Sequence, residues 1–288
     1  MAKDTVFHKK ATLNAGGRLI DLSTPQIMGI INLTPDSFYG GSRQPAVADA
    51  LQQAEKMLAA GAAFLDLGAY SSRPGAADIS VQEETERLLP VVEALADGFP
   101  EAVLSIDTFR AQVAEAAVRS GAHIINDISG GQLDTDMFAT VARLKVPYVL
   151  MHMKGTPQTM NGLADYDDVF NEVLDYFTER YQQLKNLGVA DVILDPGFGF
   201  AKKPVQSYAL LNRLEEFNRL ELPLLVGVSR KKMIYNLLGI TADDALNGTT
   251  VINTIALTKG ADILRVHDVK QAIEAVKLWE AVNQLHPL

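Results

Sequence analysis

Residues 61–68 read GAAFLDLG, 121–128 read GAHIINDI, 188–195 read GVADVILD and 260–267 read GADILRVH. In each, a glycine closes a helix-like stretch and an apolar strand begins at once, as expected when the glycine takes the left-handed position that stops a helix. Four further apolar runs belong to the same series: IMGIIN (27–32), AVLSID (102–107), PYVLM (147–151) and PLLVGVS (223–229). These runs are apolar along nearly their whole length, which suits parallel strands covered on both faces by helical crossovers. Between them lie helical stripes. Val47, Ala50, Leu51, Ala54 and Leu58 share one face, as do Val169, Val173, Phe177, Tyr181 and Leu184.

Eight strands, each followed by a helix, suggest an α/β fold closed into a (β/α)8 TIM barrel. An open doubly wound sheet gives a similar string of elements, but the sequence pattern favours the barrel. The opening stretch VFHKKATLNAGGRLIDL (6–22) reads as an N-terminal β-hairpin that turns at Gly16 and Gly17 and covers the barrel's N-terminal mouth. Pro90 is expected to end or kink the helix-like stretch 82–96. No low-complexity linker divides the chain, so a single domain over residues 1–288 is expected.

With 288 residues, 48% of them hydrophobic, the chain can bury a large core. The formal net charge of −9 argues against nucleic acid or anionic membrane as a partner, so an anionic substrate must be met by local cations. The absence of cysteine excludes disulfides, thiolate catalysis and a zinc–sulfur site. The start, MAKDTVFHKK, is polar, and no run approaches the apolar length of a membrane span. A soluble, cytoplasmic protein is expected.

Polar residues end the apolar runs: Asn32, Asp66, Asp107, Asn126, Met151–His152, Asp195, Ser229–Lys231 and Arg265–His267. An isolated Asp or Asn in such a place is as often a helix cap as a functional group. In a barrel, however, all these ends meet on the face where active sites lie. Carboxylates and amides ending buried runs need hydrogen-bonding partners, and a polar heterocycle is a suitable one. The loops NLTPDSFYGGSR (32–43) and AYSSRPGAADIS (69–80) are rich in Gly, Ser, Pro and Arg, and Arg43 and Arg73 are candidate anion contacts. GVSRKKMI (227–234) sets Ser229, Arg230, Lys231 and Lys232 at the seventh strand end, where phosphate sites of barrels recur. His152 reads best as a satisfied polar group of the core, because no paired-histidine motif supports a zinc or iron centre. Magnesium, held mostly by phosphate oxygens of a ligand and by water with one protein oxygen such as Asn32, is easier to accommodate.

The segments MGIINLTPDSF (28–38), YSSRPGA (70–76), SIDT (105–108), INDISGG (125–131), MHMKGTPQTM (151–160), DPGFGFAK (195–202), GVSRK (227–231) and RVHDV (265–269) resemble, in order and spacing, those of the dihydropteroate synthase family. The resemblance implies joining of 6-hydroxymethyl-7,8-dihydropterin diphosphate to p-aminobenzoate, with magnesium and release of pyrophosphate. It implies pterin binding by Asp107, Asn126, Asp195 and Lys231, in a slot lined by Met151, Phe200 and Gly227. It also implies diphosphate binding by Asn32, Arg265 and His267, with Asn32 the magnesium ligand. Asp36 and Phe38 of the first loop and Ser72, Arg73 and Pro74 of the second, with Lys231, would form the p-aminobenzoate site. Asp107, Asp195, Lys231 and Arg265 are the implied catalytic set, acting by charge stabilisation without a covalent intermediate.

The chain departs from the family pattern at Lys232, where many members carry Ser, and in AYSSRPG, where GESTRPG is frequent and Ser72 replaces a Thr. Family members are usually dimers, so the resemblance implies a homodimer, with 242–259 and 268–285 as the candidate interface helices. Two rival readings are a methyltetrahydrofolate-dependent corrinoid methyltransferase and a pterin-binding protein that has lost turnover. The first has no need of the TPDSF and SSRPG loops, and the second would be expected to have lost some of the polar set.

Overall fold

All four glycines that close helical stretches have positive φ: 103° at Gly61, 111° at Gly121, 83° at Gly188 and 85° at Gly260. A side chain would strain these positions, and here the sequence pattern translates directly into helix ends. The computed structural model describes residues 9–33, 43–71 and 78–284. Its first elements are β1 (Thr12–Ala15) and β2 (Arg18–Asp21), an antiparallel hairpin turning through Gly16 and Gly17, both at positive φ.

Eight parallel strands follow: β3 (Gln26–Asn32), β4 (Phe64–Gly68), β5 (Val103–Asp107), β6 (Ile124–Asp127), β7 (Tyr148–Met151), β8 (Val192–Asp195), β9 (Leu225–Val226) and β10 (Ile263–Val266). They are ordered β8-β7-β6-β5-β4-β3-β10-β9. A parallel bridge between Leu194 and Leu224 joins the two end strands, and the Leu194 N–H donates to the Pro223 carbonyl at 2.8 Å. The sheet is therefore a barrel and not an open doubly wound sheet.

The crossovers are α1 (Arg43–Ala59), α2 (Val81–Gly98), α3 (Ala111–Arg119), α4 (Met137–Leu144), α5 (Val169–Asn186) and α6 (Pro204–Asn212). They are followed by α7 (Lys232–Leu238), α8 (Leu246–Thr258) and α9 (Val269–Gln284), α7 being additional to the barrel plan. Helix α2 runs unbroken through Pro90, against expectation. Its buried Leu88, Val91, Val92 and Leu95 flank the proline, and their packing outweighs a local cost of roughly 3 kcal/mol. The ninth strand is shorter than the run 223–229, because Gly227, Val228 and Ser229 leave the ladder beyond Val226.

Alternation along the strands sorts the core into two parts. Outward residues such as Ile27, Leu65, Leu104, Ile125, Leu150, Leu194, Val226 and Leu264 pack under the helices. Inward, each strand gives one residue to a plug: Met28, Phe64, Val103, Ile124, Val149, Ile193, Leu225 and Ile263. Leu13, Ala15 and Leu22 of the hairpin region seal it from below. The lower barrel is thus filled with apolar side chains, and any ligand must enter from the opposite end.

Candidate active site

Two residues beyond the plug, the same inward direction brings up Asp66, Ser105, Asn126, Met151, Asp195, Gly227 and Arg265. Ile30 of β3 takes the eighth place in this layer, whose polar members are Asp66, Ser105, Asn126, Asp195 and Arg265. The hub of the layer is Asp66, whose Oδ1 accepts from Ser105 Oγ at 2.6 Å. Asp66 Oδ2 accepts from Asn126 Nδ2 at 3.0 Å and from Arg265 Nε at 2.6 Å. Arg265 Nη2 also donates to Asp107 Oδ2 at 2.8 Å, so one guanidinium bridges two carboxylates. Burial pushes the Asp107 carboxyl up to about 7, with Arg265 opposing that rise.

Across the cup, Asp195 is buried and its Oδ1 accepts from the Gly197 N–H at 2.8 Å. Burial raises its pKa while the Lys231 ammonium favours the charged form. Lys231 is itself lowered by burial to about 8, with Asp195 opposing. Its Nζ donates to the Phe198 carbonyl at 2.7 Å and lies 4.8 Å from the Phe200 ring centroid. Phe200 packs with Met151, Ile128, Met153, Met160 and Ala201, which form an apolar wall beside the polar ring. A flat heterocycle with a polar edge suits a slot of this make-up.

The turn 196–202 is fastened from beneath by Lys202. Its buried Nζ lies 2.8 Å from His152 Nδ1 and donates to the carbonyls of His152 (3.2 Å), Phe200 (3.1 Å) and Gly197 (3.2 Å), and burial drives its own pKa well below the ordinary lysine value. Burial and then Lys202 drive the His152 pKa well below its ordinary value, so the ring is neutral and belongs to the packing, as read from the sequence.

On the β10 side, Ser229 Oγ lies 3.0 Å from His267 Nδ1 and accepts from the His267 N–H at 3.2 Å. Asn32 ends β3, hydrogen-bonded in parallel register to β4 on one side and β10 on the other. Of the basic cluster 230–232, Arg230 faces away from anion chemistry. Its Nε and Nη2 grip Asp268 at 2.9 and 3.0 Å, and its Nη1 meets the carbonyls of Ala242 and Asp243. Lys232 is exposed at the start of α7. Asp36, Phe38, Ser72, Arg73 and Pro74 lie outside the described residues. The flanks of the second loop are tied together by Arg110, which bonds Glu84 Oε2 (2.8 Å) and the Ile79 carbonyl (2.6 Å) and stacks over Tyr70 and Phe109.

Comparison with known proteins bears directly on this cup. Residues 28–267 match the model of the pterin binding enzyme family. The dihydropteroate synthase of Escherichia coli is 46% identical over 271 residues, covering 93% of this chain and 95% of that protein. The chain belongs to the dihydropteroate synthase family. Among solved structures, Yersinia pestis dihydropteroate synthase in a sulfonamide complex superposes with a TM-score of 0.89 at 43% identity, covering 95% of this chain and 99% of that one. Xanthomonas albilineans dihydropteroate synthase with 4-aminobenzoic acid gives 0.88 at 37% identity, covering 95% and 98%.

Seen as a synthase fold, the cup gathers Asp107, Asn126, Asp195, Lys231 and Arg265 from five strand ends and sets Met151, Phe200 and Gly227 among them. Of two further buried groups, the sequence placed Asp66 among the polar strand ends without a role and did not single out Ser105. Their signal was available as parity: each stands two residues after a plug residue, as Asn126 and Asp195 do. Lys202 was missed for a different reason, since nothing local distinguishes a buried lysine from an exposed one.

Proposed function

We propose that the mouth of this barrel joins 6-hydroxymethyl-7,8-dihydropterin diphosphate to p-aminobenzoate, giving 7,8-dihydropteroate and pyrophosphate. The chain is a transferase of the dihydropteroate synthase family, and one observation carries the assignment to this cup. Asp107 and Asp195 and the Asn126 amide line one cup with Lys231 and Arg265, over a sealed apolar plug and beside an apolar wall. That arrangement suits a polar ring carrying an anionic leaving group.

In this reading Asp195 and Asn126 meet the hydrogen-bonding edge of the pterin, Lys231 meets its carbonyl side, and Met151, Phe200 and Gly227 line its faces. Arg265, His267 and Asn32 receive the diphosphate. Asp36, Phe38, Ser72, Arg73 and Pro74, with Lys231, build the p-aminobenzoate site. The bond from the exocyclic methylene to oxygen breaks and its electron pair leaves with the diphosphate. The aniline nitrogen then supplies the pair for the new carbon–nitrogen bond, and its extra proton is lost to solvent. Arg265 and His267 take up the charge of the leaving group, while Asp107 and Asp195 favour the positive pterin.

Magnesium fits the donor set at Asn32. The amide of Asn32, at the end of β3, would offer one hard oxygen, and among the described residues no cluster of three or more His, Cys, Asp or Glu could form an all-protein cage. Such a site suits an ion that keeps water and takes phosphate oxygens. Bound there, magnesium supplies Lewis-acid neutralisation of the leaving group.

The proposal extends to a homodimer of one-domain chains, residues 1–288, working in the cytoplasm. Exposed Val251 and Ile255 on α8 and Leu278 and Val282 on α9 support association through these helices. Among the described residues no helix is long and apolar enough to cross a membrane.

The test is to supply both substrates and magnesium and to follow dihydropteroate and pyrophosphate together. Equal yields, lost in Asp195→Asn and Lys231→Ala, support the reading; pterin binding without product refutes it. Leu278→Asp should convert a dimer to monomer in sedimentation.

A further inference from the structure

The groups that face the proposed substrate stand on a carboxylate that no substrate can reach. Asp66 has no exposed surface. Its two oxygens are taken by three donors from three other strands, Ser105 on β5, Asn126 on β6 and Arg265 on β10. Asp107 is the counterpart at the edge of the cup. Its side chain is 17% exposed, and it holds Arg265 through the terminal nitrogen Nη2. The two carboxylates therefore grip one guanidinium unequally: Asp66 Oδ2 spans Nε and Nη2, both at 2.6 Å, while Asp107 meets Nη2 alone at 2.8 Å.

The chemistry of each contact restricts what remains. A carboxylate only accepts, so Asn126 must turn its NH2 toward Asp66, which leaves its carbonyl oxygen for the cup. The guanidinium is a planar fork whose nitrogens keep fixed relative positions. Held by Asp66 along its Nε–Nη2 edge, it can trade the second partner at Nη2 without losing its place.

We infer that Asp66 is a positioning residue for the synthase reaction: it sets Asn126 to present an acceptor to the pterin, and it serves as the pivot on which Arg265 exchanges Asp107 for the substrate's diphosphate. Asp66 touches neither substrate. It acts through two residues that do, and in this respect the inference rests on the site roles proposed above. Asp107, released by the exchange, is then the carboxylate left facing the positive pterin.

The test is a double-mutant cycle on kcat/KM for the dihydropterin diphosphate, using the full chain with magnesium and p-aminobenzoate. Asp66→Asn keeps the shape and removes the charge, while Arg265→Lys keeps the charge and removes the fork. Each alone should lower kcat/KM by about a hundredfold or more, and the double variant should lie within about tenfold of Arg265→Lys, because residues acting as one unit are not additive. If the two losses multiply, Asp66 serves only the fold and the inference is overturned. If Arg265→Lys alone changes nothing, the assigned site itself fails, an outcome distinct from multiplied losses. Should Asp66→Asn not fold, Ser105→Ala takes its place: it frees one Asp66 oxygen and must show the same sub-multiplicative pattern with Arg265→Lys, and multiplied losses there overturn the inference equally.

Discussion

Replacing Asp107 by Asn should stabilise the protein while stopping the reaction. Burial raises the Asp107 carboxyl from 3.8 to about 7 against the pull of Arg265, with Asp66, Glu84 and Asp127 adding like-charge repulsion. In the unfolded chain the carboxyl titrates near its ordinary value, so at intermediate pH the folded state holds a proton that the unfolded state has released. The stability this group contributes is complete below the unfolded midpoint and is lost as pH rises through about 7. At 1.36 kcal/mol per pH unit the ionised group then costs about 4 kcal/mol, and partial solvation makes about 2–4 kcal/mol the working range. Asparagine cannot ionise but still offers Arg265 an oxygen. Urea unfolding should therefore show the variant more stable by that amount near pH 8, with the gap falling to less than half near pH 5. A variant less stable than the parent near pH 8, or a gap independent of pH, would refute the reasoning. Such a result would mean that Arg265 fully compensates the buried charge.

The same two groups set an activity profile: kcat/KM should rise as Asp107 ionises through about 7 and fall as Lys231 deprotonates through about 8, and Lys231→Arg should abolish the upper limb. Lys202→Met removes the buried donor to the His152 and Phe200 carbonyls, while the Gly197 carbonyl keeps the Phe200 N–H, so stability should drop by about 2–4 kcal/mol; unchanged melting would show the turn to be held otherwise. Gly197→Ala places a Cβ 2.1 Å from the His152 carbonyl oxygen at φ 68°, and Tm and soluble yield should both fall, since the left-handed backbone alone costs roughly 1–2 kcal/mol. Arg230→Ala removes the clasp on Asp268 and should cost about 1–3 kcal/mol of stability with KM for the pterin substrate within about twofold of the parent; a large rise in KM would mean that Arg230 meets the anion after all.

The strand and helix succession was legible because each glycine stop is a local event. Gly61, Gly121, Gly188 and Gly260 take positive φ whatever surrounds them, and the apolar runs after them have one favourable fate. Pro90 was misleading for the opposite reason, since the packing around Leu88 and Val91 lies outside the reach of a local rule. The polar strand ends were legible as a set, and the family resemblance distributed roles among them. Asp66 appeared in that set but was given no role, because its three partners lie 39, 60 and 199 residues away in sequence.

By itself, the sequence determined the order of elements, the hairpin turn at Gly16 and Gly17, and the list of polar groups ending the strands. These follow from backbone sterics and from the periodicity of apolar residues, which act over a few residues. Only the tertiary structure decided that the sheet closes at Leu194 and Leu224 and that Arg230 is tied to Asp268 while Arg265 bridges Asp66 and Asp107. It also decided that Lys202 lies buried under the turn it holds. Arginines and lysines have long stems and no local preference for a partner. Which carboxylate or carbonyl each one meets is set by closure of the barrel, which brings together residues that the chain keeps far apart.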